Sequence, residues 1–403
     1  MNRWMCFWCF LIAIFQISKA KYADDVDLNI TEITKKYGFP VETHEIETED
    51  GYLLDVYRIP FGRFSRTRRT NRYPVILNHG LLGSAENFIL MGQNKSLAYM
   101  LADYGFDVWL CNARGSWHSR KHRTLHPDKD AEYWQFTWHE IGIYDLPATI
   151  DYVLNVTNTN KVHFVGHSQG TTTFFVMCSE KPEYNEKIKV MVAMAPSAIL
   201  GHLKEPFLRM LVPFHPFLER LSDDLKEYEL LPFVSNRGIR SLGKALCGKN
   251  SLLSSSTCRF VVSMVLQDEE MDKDVIPLLL STVPAGASVK QGLHYAQIAV
   301  AGTFRKYDWG PKENMRRYNS RTPPEYNIKH ITAPIAIFYG EADDNVAKEV
   351  TFDVEILAKL LPNVVEVYKV PSKTWTHMDF LWAKNIDELV NNKIIEELKK
   401  YNK

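Results

Sequence analysis

Six short apolar runs, each bounded by turn residues, recur along the chain: Tyr73–Asn78, Phe106–Leu110, Lys161–Val165, Ile188–Ala193, Ile335–Tyr339 and Val364–Val370. Short apolar runs bounded by turns are what strands covered on both faces require, so they predict buried parallel strands. Between the early runs, Ser96–Tyr104 and Gly142–Leu154 place apolar residues three and four apart, the spacing of a helix with one buried face. Strands alternating with helices predict βαβ units, hence an α/β fold with a mostly parallel central sheet. Tyr52–Ile59 is expected to add an antiparallel edge strand.

The series stops after Pro196 and resumes at Ile335. Residues 197–320 are therefore expected to form an insertion, most naturally a helical cap or lid, that divides a core of residues 21–196 and 321–403. A larger core with irregular helices is the alternative. Residues 203–231 are rich in Leu, Phe and Pro, and Pro206, Pro213 and Pro216 favour short pieces over one long helix.

Composition narrows the classes of function. The 403-residue chain carries 48 basic and 48 acidic residues, which gives no basic surplus for nucleic acid. Arg3, the apolar run Met5–Phe15 and Ser18-Lys19-Ala20 predict a signal peptide over residues 1–20, with an uncleaved anchor as the alternative. No later stretch is long and apolar enough to span a bilayer as a helix. An oxidising compartment follows, secreted or extracellular, with the lysosome as alternative. Of the remaining cysteines, Cys111 and Cys178 lie in apolar runs and are expected to be buried free thiols. Cys247 and Cys258 lie in a Ser- and Gly-rich stretch and could close a short loop. Asn29, Asn94 and Asn155 begin N-x-S/T sequons and are candidate glycosylation sites. The basic stretch Arg63–Arg72 is expected to be a solvated loop. No cysteine or histidine pattern fits a metal site, and no cofactor is expected.

The chemistry centres on Gly166-His167-Ser168-Gln169-Gly170. An apolar strand precedes it and the helix-compatible run Thr171–Lys181 follows, the setting of a nucleophile elbow. Such a turn lifts a serine hydroxyl above the sheet and needs glycines for the close approach of helix to strand. Oxyanion stabilisation needs preplaced backbone N–H groups. Gln169 supplies one, and Leu81, in Asn78-His79-Gly80-Leu81-Leu82-Gly83 after a strand, is expected to supply the second. In this fold the acid and base follow the serine in the order Asp or Glu, then His. Asp343 stands after the strand Ile335–Tyr339, and His377 after the strand ending at Val370. Asp344 is the competing acid. His79 and His167 flank key positions and are expected to be structural.

These segments, together with Asn112-Ala113-Arg114-Gly115, Ser119-Arg120-Lys121-His122, Trp134-Gln135-Phe136-Thr137-Trp138-His139-Glu140-Ile141-Gly142, Tyr144-Asp145-Leu146-Pro147-Ala148, Pro284-Ala285-Gly286, Tyr307-Asp308-Trp309-Gly310 and His377-Met378-Asp379-Phe380, resemble the acid lipase family of lysosomal and gastric lipases. They run in family order from about Gly38 to the C-terminus. The resemblance implies an α/β-hydrolase core with a lidded cap, and hydrolysis of neutral-lipid esters at a lipid–water interface. It implies Ser168 as nucleophile, Asp343 as acid, His377 as base, and Leu81 and Gln169 as oxyanion donors. Cys247 fits one partner of the family's cap disulfide, whereas Cys258 is displaced, and Cys111 stands where members often have glycine. A triacylglycerol-type lipase is the leading expectation. Esterases for sterol or other alcohols, and a non-catalytic lipid-binding protein on the same scaffold, are the alternatives.

Overall fold

The computed structural model describes residues 22–64, 72–201, 269–342 and 350–402, and within the insertion also 220, 222 and 224–230. The remaining expectations, among them Asp343, Asp344, Cys247, Cys258 and most of the apolar segment 203–231, lie outside the described residues. Eight strands form one sheet in the order β1-β2-β4-β3-β5-β6-β7-β8. They are β1 (Glu42–Glu47), β2 (Leu53–Ile59), β3 (Pro74–Asn78), β4 (Asp107–Leu110), β5 (Val162–His167), β6 (Ile188–Met194), β7 (Ile335–Tyr339) and β8 (Val364–Lys369). The β1–β2 and β2–β4 pairs are antiparallel and the rest are parallel.

Burial explains which strands show as apolar runs. Strands β3, β4, β5 and β7 are buried along their whole length and β6 at all but one position, so both faces need apolar side chains. Alternate residues enter the two cores: Val75 and Leu77 pack on one face of β3, and Ile76 packs on the other. The helices Leu97–Asp103 and Asn392–Lys400 cover the first face. Leu146–Thr157, Gln169–Glu180 and Val350–Leu360 cover the second. At the sheet edges the pattern weakens. Strand β8, expected to be buried, is instead an edge strand whose residues alternate between half-buried and exposed, and β2, expected at the edge, lies one strand in because β1 pairs outside it. Strand β1 buries only Ile46 and presents its glutamates outward, which is why no apolar run announced it.

No strand of the sheet interrupts the chain between β6 and β7 among the described residues. That interval contains the helices Ile276–Thr282, Val289–Ala301 and Pro311–Tyr318. Arg114, buried in the loop after β4, ties the core together ahead of the site. Its Nε donates to Asp145 Oδ1 at 2.7 Å, its Nη2 to Asp50 Oδ1 at 2.8 Å, and its guanidinium lies 3.9 Å from the Tyr52 ring centroid. Burial works against its charge, but the Asp145 and Asp50 carboxylates hold its pKa above the ordinary arginine value. Cys111 and Cys178 are buried free thiols, as expected. Asn29, Asn94 and Asn155 are exposed. Among the described residues no helix is long and apolar enough to cross a membrane.

Candidate active site

Strand β5 ends at His167 and the helix Gln169–Glu180 begins one residue later, so the reversal falls on Ser168. Ser168 adopts φ 53°, ψ −120°, a region that costs an L-residue on the order of 1–3 kcal/mol. Hydrogen bonds hold it there. Ser168 N–H donates to Met194 O on β6 at 3.0 Å, and Thr171 N–H donates to Ser168 O at 2.8 Å. The two glycines have separate reasons. A Cβ on Gly166 would lie 2.8 Å from the Gly170 carbonyl group, and one on Gly170 would lie 2.3 Å from Asn78 O. Helix and strand therefore approach closely only without side chains at both positions, and the serine is left partly exposed above the sheet.

The loop after β3 runs against this serine. A Cβ on Gly80 would meet Ser168 Cβ at 3.1 Å and Ser168 Oγ at 3.5 Å. Leu82, two residues on, has φ 60°. His79 anchors the loop from beneath. Its Nε2 accepts from Ala113 N–H at 3.0 Å, which places the ring proton on Nδ1, facing Gly80 O at 2.8 Å. Burial lowers His79 to about 4, so it stays neutral. The expectation of a structural role for His79 agrees with this arrangement.

His377 is buried in the turn between β8 and the short helix Asp379–Trp382. Asp379 shapes that turn by accepting from Thr376 N–H at 2.7 Å and Thr376 Oγ1 at 2.9 Å. Its main chain is also held from the elbow. His167 Nε2–H donates to His377 O at 3.0 Å, and the two rings lie 4.9 Å apart. Burial, with His377 and His79 nearby, lowers His167 to about 3. The residue expected to be merely structural thus supports the position of His377. Sequence reasoning missed this contact; adjacency to the elbow serine was the one signal available.

The turn after β7 is seated beside the same region. A Cβ on Gly340 would lie 2.3 Å from Trp375 O, and Ala342 N–H donates to that oxygen at 3.1 Å. The turn is thus packed on the main chain two residues before His377. Gln169 is buried, and its side-chain Oε1 accepts from Gln291 Nε2 at 3.1 Å, another contact absent from the sequence reading.

A serine at positive φ between a parallel strand and a helix, beneath a glycine loop from an earlier strand, defines an α/β-hydrolase. The model of the alpha/beta hydrolase fold matches residues 73–384, and that of the partial alpha/beta-hydrolase lipase region matches residues 30–92. Rat gastric triacylglycerol lipase is 37% identical over 376 residues, covering 92% of this chain and 91% of its own. Human lysosomal acid lipase/cholesteryl ester hydrolase is 35% identical over 381 residues, covering 94% and 92%. Lipase 1 of Drosophila melanogaster is 36% identical over 386 residues, covering 96% and 83%. The chain belongs to the acid lipase family, and it is a carboxylic ester hydrolase. Among solved structures, a putative lipase from Sulfolobus solfataricus superposes with a TM-score of 0.57 at 14% identity, covering 90% of this chain and 95% of that one. At that identity the likeness speaks for the fold alone.

Proposed function

We propose that this lipase hydrolyses neutral-lipid esters of the triacylglycerol type through Ser168, His377 and Asp343. The observation that carries the reading is Ser168 at φ 53°, raised at the elbow with the Gly80–Leu81 loop against it. In the mechanism, the imidazole of His377 takes the Ser168 proton as Oγ bonds to the ester carbonyl carbon. Charge develops on the carbonyl oxygen, where the N–H groups of Leu81 and Gln169 donate. The tetrahedral intermediate collapses, the alcohol leaves with the proton from His377, and an acyl-enzyme remains. Water, deprotonated by His377, then releases the fatty acid and restores Ser168. Asp343 orients His377 and stabilises its imidazolium. The turn Gly340–Ala342 packed on Trp375 supports that assignment, with Asp344 as the competitor.

Residues 197–320 are proposed as the cap, with the apolar segment 203–231 as a lid over the acyl groove and Cys247–Cys258 as its disulfide. The helices between β6 and β7 support the cap reading. The protein is proposed to act at a lipid–water interface in a secreted or lysosomal setting, glycosylated at Asn29, Asn94 and Asn155. A second reading, preference for sterol esters, is favoured by the name of the human relative, a cholesteryl ester hydrolase. Two experiments test these readings. Ser168→Ala should lose about six orders of magnitude in turnover and escape fluorophosphonate labelling; activity within tenfold of wild type refutes the mechanism. Hydrolysis of tri-, di- and cholesteryl esters at acidic and neutral pH decides between the substrates.

A further inference from the structure

One stretch of chain between β6 and β7 touches both sides of the proposed oxyanion site. Ala285 N–H donates to Leu82 O at 2.7 Å, next to Leu81, and Leu82 is held at φ 60°. Further along, Gln291 Nε2 donates to Gln169 Oε1 at 3.1 Å. The amide orientation of Gln291 is set by its other contact: its Oε1 accepts from Ser288 N–H at 2.8 Å, so its nitrogen must be the atom facing Gln169. The stretch is fastened independently of either donor. Trp117 N–H donates to Ala285 O at 2.5 Å, and Ser288 Oγ donates to Phe136 O at 2.6 Å. Gly286, at φ +97°, passes so close to the loop after β4 that a Cβ would lie 2.7 Å from Gly115 O.

Oxyanion stabilisation depends on N–H groups that are in place before charge develops. Gln169 is the first residue of its helix, so its backbone N–H has no acceptor within that helix and is available to a ligand. The orientation of that N–H follows the Ser168–Gln169 peptide, and a side chain fixed at its tip limits how that peptide can turn. The Leu82 carbonyl, fixed by Ala285, restricts the other loop in the same way. We propose that residues 285–291 are a brace that fixes the two oxyanion donors relative to each other, with Gln291 the positioning residue for Gln169. This rests on Leu81 and Gln169 being the donors.

The test breaks the brace bond from either end. Gln169→Met and Gln291→Met each remove the side-chain bond and leave the Gln169 backbone N–H in the protein. On a soluble short-chain ester each should lower kcat about tenfold or more, with KM changed less than about threefold. Affinity for a trifluoromethyl ketone, which forms a tetrahedral oxyanion adduct, should fall in parallel. The double variant should be no worse than the weaker single, because both act through one bond. Gly286→Ala, which pushes the brace off Gly115, should give the same kcat loss from the Leu82 side, and it decides the matter should a glutamine variant not fold. Wild-type kcat in the folded variants, a raised KM at unchanged kcat, or losses that multiply in the double variant overturn the brace. Persistent activity of Ser168→Ala would instead overturn the reading on which it rests.

Discussion

His167 offers a quantitative test of how the site is built. It is fully enclosed, and its folded pKa lies near 3, against 6.5 for an exposed histidine. The cause is first desolvation, then the neighbouring His377 and His79. The sign follows directly. Between those values the unfolded chain binds a proton at this position and the folded protein does not, so stability falls as pH falls from 6.5 toward 3. Because the folded value lies well below the experimental range, the cost is governed by the unfolded titration alone. Between pH 7 and pH 5 it amounts to about 2 kcal/mol. His167→Gln removes the titration and keeps an N–H able to reach His377 O, now met at 3.0 Å. Urea unfolding followed by tryptophan fluorescence at pH 7 and pH 5 gives the comparison. The variant should lose about 2 kcal/mol less than wild type across that interval. Equal losses would mean that His167 protonates in the folded state, and that its neutral, buried contact with His377 is wrongly described.

The remaining predictions address the acid, the core and the cap. Asp343→Asn should lower turnover about 10⁴-fold by leaving His377 in the wrong tautomer, while Asp344→Asn should be mild; steady-state kinetics in which Asp344→Asn is the worse variant would move the acid by one residue. Arg114→Met should destabilise by about 3–5 kcal/mol, because it strands the buried Asp145 carboxylate, and a denaturation midpoint equal to wild type would contradict the ion-pair account. Replacing Phe207 and Leu211 with serine should reduce activity on emulsified triglyceride far more than on a soluble ester; equal loss on both, with lowered stability, would make that segment core rather than lid.

Much of the scaffold could be read from local pattern alone. Strands β3 to β7 are covered on both faces, so each had to be mostly apolar, and the runs showed where they lie. The elbow was equally legible, because glycines at 166 and 170 are imposed by a close approach within a few residues of Ser168. Strand β1 escaped notice because an edge strand that buries one residue needs no apolar run. The supports of the site belong to tertiary structure. His167 meets His377 across 210 residues, and Gln291 meets Gln169 across 122. Arg114 finds Asp50 and Asp145 from opposite directions along the chain. Periodicity records which side of an element faces the core, whereas these contacts depend on where two packed elements place single polar atoms. Position in the chain already set His167 apart from His377, but the hydrogen bond by which the one holds the main chain of the other is visible only in the folded geometry.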